Sequence, residues 1–434
     1  MILCGKNETK DFSINYSGTH LNFKPSTGVN LAVRIDQFAL LVCKRNKDIT
    51  TIINLSTGES RSLKSVEFIS NPGLYYLWRN VFATFYAKAA IAGQIIDNGH
   101  FTTDEEDENI LNWHKKQYPW LFPDQAWTVT GKTNEDEDRA TIANITGNGN
   151  DLVLSNFGFA EGSGYGLYAE NYSNSRWFIN NTITATKKSD TFNVTSVNQV
   201  AVQIQYIAEP SQSPYTVPSY TIKVTGLTDG QTVNYRVSGG ISYPITQDGI
   251  YILPGFDFAG MGSWYGFQFN KVQETCDITI EQIPEYEGYL VTDGVDDKAV
   301  SKQFKFGENF TVILDFKFPV KKISYCGFDL SSKVRIQNLQ GSGVYVVLKG
   351  NRTLIPSNVV RAVTSEGKVY DENWNEYNIV PGNISSNYTM VNLGFDGSNQ
   401  FAESATKLAG IYSSTLSKDD CIKAYNYLQT LKAK

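Results

Sequence analysis

Short apolar runs alternate with polar breaks through most of this chain, and the period changes in only a few places. Over residues 11–68, stretches such as "LNFKPSTGVNLAVRIDQFALLVCK" and "DITTIINLSTGESRSLKSVEFIS" read as strands joined by turns, with "STG" in two of the breaks. Residues 74–96 switch to a helical period. Leu77, Val81, Phe85 and Ala89 share one face, and Trp78, Phe82 and Tyr86 widen it. That face is too broad for a lone surface helix, which predicts self-association as a dimer or trimer. A second helix is expected from Thr103, where Glu106 completes a capping-box spacing and His114, Lys115 and Lys116 precede the stop at Pro119. Beyond Trp120 the strand texture returns and lasts until "STLSKDDCIKAYNYLQTLKAK", a closing helix with Ser417 as its expected N-cap and Asp419 and Asp420 in its first turn.

Composition sharpens this to a mainly β protein of more than one domain. The 434 residues exceed what one core usually serves, and 35 glycines with 25 tyrosines suit sheets and tight turns better than helical bundles. A net charge of −6, with no long basic block, argues against nucleic acid as a partner. The five cysteines (Cys4, Cys43, Cys276, Cys326, Cys421) form no ligand spacing and read as unpaired thiols of a reducing compartment. "MILCGKNETK" has neither a basic n-region nor an h-region, which predicts synthesis in a cytoplasm without Sec export. No apolar run is long enough to span a bilayer, so membrane insertion is not expected. Triplets such as those at Asn144, Asn193 and Asn387 are what an Asn-rich chain produces by chance.

Catalytic patterns fail one by one. "VTGKT" lacks the leading glycine of a phosphate loop, and "EGSGYG" follows a β segment without opening a helix. The three histidines (His20, His100, His114) sit near no nucleophile elbow. Carboxylates are plentiful, but "ENFTVILDF" lacks the one-faced acid pattern of a glycosidase strand. No catalytic residues and no organic cofactor are expected. Two weaker chemistries stay open. Asp293, Asp296 and Asp297 could ligate Ca²⁺, although Asp293-Gly294 alone explains a hairpin turn. Trp374 and Tyr377 in "VYDENWNEYN", and Trp264 and Tyr265 in "GMGSWYGFQF", set aromatic faces beside polar groups as sugar binding requires, or serve as core anchors.

Three blocks, "ITGNGNDLVLSNF", "VTDGVDDKAV" and "LAGIYSSTLSKDDCIKAYNYL", resemble the opening, early-middle and closing signatures of laminin-G-like, concanavalin-type jelly rolls. In that family the first two lie a few tens of residues apart, whereas here more than a hundred separate Asp151 from Asp293. An inserted β domain accounts for the gap, because loop closure costs grow only logarithmically with length. The expected order is an N-terminal β domain over 1–70 for attachment or assembly, a two-helix segment over 71–118, a jelly roll from 119–183 plus 286–434, and an inserted β-sandwich over 184–285. More narrowly, "AWTVTGKTNEDEDRATIANITGNGNDLVLSNFGFAEGSGYG" followed by "CDITIEQIPEYEGYLVTDGVDD" is similar to virion surface proteins of crAss-like and related phages of Bacteroidetes. The resemblance implies a head-fibre, tail-fibre or adhesin component on the virion surface, with capsid or tail proteins as partners and host surface glycan as ligand. A cell-surface or secreted bacterial glycan-binding protein is the alternative, and a glycoside hydrolase a weaker one.

Overall fold

The computed structural model describes residues 2–4, 13–17, 20–26, 29–34, 41–46, 49–54 and 59–64 near the N-terminus, and then 104–433 apart from 198–202, 208–214, 229, 259–262, 271–274, 320–325, 332, 339–343, 384–387 and 397–399. The helix expected over 74–96 lies outside the described residues. The protein is mainly β and built of antiparallel sheets. It falls into two compact units, one comprising Met1–Ala126, Thr146–Asn148 and Gly410–Leu431, the other Trp127–Ile145, Gly149–Ala409 and Lys432–Lys434.

The first unit begins with two meanders. Ile2–Cys4, Ser13–Ser17, His20–Ser26 and Val29–Arg34 form one, and Leu41–Asn46, Ile49–Asn54 and Glu59–Lys64 the other. The helix Asp104–Gln117 follows, with His114, Lys115 and Lys116 in its last turn, where the macrodipole favours cations. The closing helix Lys418–Gln429 starts as its sequence requires: the Asp420 amide donates to the Ser417 hydroxyl at 3.2 Å. Its buried side is Cys421, Ala424, Tyr427 and Leu428, and Gly410 is small because a Cβ there would come within 2.5 Å of Leu428.

The second unit holds two sandwiches. In the larger, one sheet runs Asn351–Ile355, Val344–Leu348, Val334–Asn338, Cys326–Leu330, Val391–Leu393, Lys298–Val300, Leu152–Ser155 and Thr141–Ile142. The other runs Gly164–Leu167, Glu285–Asp293, Glu403–Tyr412, Thr311–Lys317, Val359–Thr364, Lys368–Tyr370 and Glu376–Asn378. The two sheets meet closely. A Cβ on Gly327 would lie 2.4 Å from the Phe316 ring and 2.8 Å from that of Phe318. The turn before Leu152–Ser155 is closed by Asp151, which accepts from the Asn144 amide at 2.8 Å, and Gly149 supplies the left-handed conformation with φ +69°. That strand then pairs with a segment far along the chain, Val153 opposite Val300.

The smaller sandwich packs Trp177–Ile179, Ile204–Ile207, Trp264–Asn270, Thr232–Val237 and Ile241–Ile245 against Ile183–Lys187, Thr191–Val197, Ile278–Ile283, Tyr220–Thr225 and Gly249–Leu253. Its strands begin at Trp177, ahead of the boundary at residue 184 expected from sequence, because Tyr172 and Trp177 belong to its aromatic core. Trp177 lies 5.1 to 5.5 Å from the rings of Tyr172, Phe192, Tyr206 and Tyr265. The two ends of the segment lie side by side. Gly164–Leu167 pairs antiparallel with Glu285–Asp293, and Leu167 stands opposite Glu285. Buried Gln282 clasps this neck: its Oε1 accepts from the Ala169 and Glu170 amides at 2.8 and 3.1 Å, and its Nε2 donates to the Glu170 carbonyl at 2.9 Å.

Candidate functional site

The structure does bring the three acids of "VTDGVDD" together, at the end of Glu285–Asp293. One carboxylate oxygen from each of Asp293, Asp296 and Asp297 lies within 4.8 Å of the others. Much of that oxygen is already engaged in making the turn. Asp293 Oδ1 accepts from the Val295 amide at 2.8 Å, and Asp297 Oδ2 accepts from the Asp293 amide at 2.8 Å. Gly294 sits at φ +75°, and a Cβ there would lie 2.8 Å from the Glu403 amide nitrogen. Burial pushes the Asp297 carboxyl up to about 7, and the charge of Asp293 adds to the shift. The donors are hard oxygens of the type Ca²⁺ takes, so the residues fit such an ion.

The four aromatic residues singled out from sequence fall in two places and meet different fates. Tyr265 is fully buried in the smaller sandwich, where its hydroxyl donates to Glu170 Oε1 at 2.5 Å. It is a core residue, and the sugar-facing role expected of it is withdrawn. Trp264 precedes it on the same strand, half-buried and opposite Ile207, within sheet pairing and not on a loop. Alternation along a strand sends neighbours to opposite faces, so the two rings never formed one platform.

Trp374 and Tyr377 lie in the hairpin of Lys368–Tyr370 and Glu376–Asn378. Asp371 knots the turn between these strands. Its Oδ1 accepts from the Asn373 and Asn375 amides, both at 2.9 Å, and its Oδ2 from the Asn375 side chain at 2.9 Å and the Tyr377 hydroxyl at 3.0 Å. Burial pushes the Asp371 carboxyl up, but these bonds outweigh it and hold the group below the ordinary carboxylate range. The turn fixes Trp374 at φ +61°, a conformation that costs a non-glycine residue about 1–3 kcal/mol and persists only where the surroundings impose it. Its half-exposed ring lies 6.1 Å from that of Tyr370, whereas Tyr377 stands opposite Val369, on the other face of the hairpin.

The register connects Tyr377 to groups that sequence reading missed. Val369 pairs with Val363, and Lys317 with Val359, so Lys317, Arg361, Asp371 and Tyr377 share one face of the sheet. Asp315, held in a bulge of the Thr311–Lys317 strand, joins them through an ion pair with Arg361 and accepts from the Tyr289 hydroxyl at 3.0 Å. The Lys317 ammonium lies 4.1 Å from the Tyr289 ring centroid and 4.6 Å from that of Tyr286. Burial lowers the Lys317 pKa, with Asp315 opposing and Arg361 reinforcing. Asp and Lys at alternate positions of the otherwise apolar "VILDFKF" were the available signal. The tyrosines, cations and acids, half-exposed apart from the buried Asp315 and Asp371, lie within a span of six strands in sheet order, roughly 24 Å at the usual interstrand spacing, with the buried Val363 and Val369 between Arg361 and Tyr377.

Among the described residues no helix is long and apolar enough to cross a membrane. No family model matches the chain, and no curated protein matches it. Of solved structures, a Trypanosoma rangeli sialidase in complex with sialic acid shares 7% identity, with 99% of this chain and 90% of that chain covered at a TM-score of 0.28. The N-terminal CBM22-1–CBM22-2 tandem domain from Paenibacillus barcinonensis Xyn10C shares 8% identity, with 59% of this chain and 99% of that chain covered at 0.14.

Proposed function

We propose that the protein is a non-enzymatic, adhesive component of a phage virion whose larger sandwich binds host surface glycan along the polar face of one sheet. The observation that carries the binding reading is the preorganised row across that face. Tyr286, Tyr289 and Tyr377 offer rings, while Lys317, Arg361 and Asp371 are held by ring contacts, an ion pair and hydrogen bonds. Ring faces pack on the C–H surfaces of a sugar, and fixed charged groups meet its hydroxyls with little ordering left to do. A row of roughly 24 Å suits an oligosaccharide better than a single ring. The virion assignment rests on the sequence resemblance, and Ca²⁺ at the acidic turn is part of the same proposal as a rim ligand that stiffens the sandwich. The test is binding of the purified protein to a panel of bacterial surface polysaccharides. Tyr286→Ala and Tyr377→Ala are each expected to weaken binding about tenfold, or about 1.4 kcal/mol, with cooperative unfolding retained and Tyr377→Ala losing the hairpin's bond to Asp371. Binding that both variants retain in full, or a parent protein that binds nothing on the panel, ends the glycan reading. Virions of the phage that encodes it, purified and shown by mass spectrometry to lack the chain, end the virion reading.

A further inference from the structure

The two sheets of the smaller sandwich have four edge strands, and three of them carry features that discourage pairing with another chain. Trp177–Ile179 has only three residues. Ile183–Lys187 contains a register shift between Thr184 and Ala185 and ends in a lysine. Ile241–Ile245 contains Pro244, which has no amide hydrogen to donate. These are the usual devices that keep an open sheet edge from recruiting a strand. The fourth edge, Gly249–Leu253, has none of them. Its sequence, GIYIL, holds no charge and no proline, and its pairing with Tyr220–Thr225 runs without a shift over five residues. Among the described residues its outward side chains are the two most exposed large aliphatics of this sandwich, Ile250 at 65% and Ile252 at 75%. Asp248 anchors its start by accepting from the Gly226 and Leu227 amides at 3.0 and 2.8 Å.

We infer that Gly249–Leu253 is a dimerisation edge, on which the same strand of a second copy of this chain pairs antiparallel and joins two five-stranded sheets into one of ten. The strand suits its own copy. A two-fold axis at Tyr251 places Ile250 of one chain opposite Ile252 of the other, two β-branched side chains in the cross-strand relation that stabilises sheets. In a chain of net charge −6, an uncharged strand is also a place where two copies meet without bringing like charges together. Backbone pairing supplies the remaining contacts, as in other strand-addition interfaces.

Light scattering on the full-length protein at micromolar concentration tests this. The expected mass is twice that of the chain, and Ile252→Lys halves it by placing a charge on the edge. Because that variant could disturb the sandwich, amide exchange on the parent is measured at two concentrations as well. The amides of 249–253 are expected to gain protection on concentration while those of Ile241–Ile245 do not. A monomeric parent overturns the inference, including the case in which the edge is kept for a strand of some other protein. So does an Ile252→Lys protein that keeps the double mass, or exchange at 249–253 that does not depend on concentration.

Discussion

Both sandwiches of the second unit bury charged side chains, Asp297 and Lys333 in the larger and Glu170 in the smaller, but the larger also sets charge out along one face. In the larger, charged groups stand on an outward face and are fixed there by one another: Arg361 by Asp315, Tyr377 by Asp371, Lys317 by two tyrosine rings. In the smaller, the charge is inside. Glu170 is 1% exposed, beneath an aromatic cluster, and bonded to the Tyr265 hydroxyl. Placement decides the consequence. An outward polar row leaves binding groups available at little cost to the core, whereas a buried carboxyl makes stability depend on its proton.

The contrast breaks most visibly at Trp177. Its ring is the hub of the small core, and Trp177→Ala is expected to cost about 3–5 kcal/mol there, unfolding the small sandwich first while the calorimetric transition of the larger one stays near its parental temperature. A single merged transition that shifts as a whole would show that the two cores are one.

A second difference concerns pH. Burial raises the Glu170 carboxyl from an ordinary 4.5 to about 8, with the Tyr265 hydrogen bond acting the other way. The folded state therefore favours the protonated form. Its contribution is present in full below 4.5, drains as pH rises, and is gone once pH passes about 8. At about 1.4 kcal/mol per pKa unit this amounts to a few kcal/mol. The urea midpoint of the small sandwich is expected to fall across that window, and Glu170→Gln to flatten the profile. Asp371 has the opposite sign: its lowered carboxyl stabilises the hairpin above the ordinary value of 3.8 and releases it as pH falls. Alkali thus loosens the smaller sandwich at Glu170 and the acidic turn of the larger at Asp297, whereas acid loosens the Asp371 hairpin.

Much of this architecture could be read from the chain, and the limits have physical causes. The alternating segments of the small sandwich are contiguous, so strand period and turn residues exposed it. Its start was misplaced because "RWFINNTITATK" looks like more of the preceding loop-rich stretch until Trp177 is known to point inward. The Ser417 cap and the Asp293 turn were visible because both depend on side-chain to backbone bonds within a few residues. The polar face was not visible. It is assembled from strands as distant as Glu285–Asp293 and Glu376–Asn378, and only register places Tyr289, Lys317, Arg361 and Tyr377 on one side. Tyr265 misled for the converse reason: an aromatic residue beside glycines has the same local sequence whether it faces solvent or core.

A smaller effect sharpens the picture at the acidic turn. One oxygen from each acid lies within 4.8 Å of the others, and a divalent cation bound there would favour the ionised form of Asp297 that burial opposes. Millimolar Ca²⁺ is expected to raise the unfolding temperature of the larger sandwich by a few degrees and that of the smaller not at all. Asp297→Asn should abolish the increment. An equal response from both sandwiches would mean that the ion acts elsewhere.

The most direct measurement removes the smaller sandwich altogether. Leu167 and Glu285 are paired neighbours, so residues 168–284 can be replaced by a short Gly/Ser linker without moving either strand. The deletion protein is expected to unfold in one cooperative transition and to bind the same polysaccharide as the parent with the same sensitivity to Tyr377→Ala. A deletion protein that folds but no longer binds would place the binding surface in the smaller sandwich, and one that is molten, while the parent unfolds cooperatively, would show that the larger sandwich depends on the segment inserted in it.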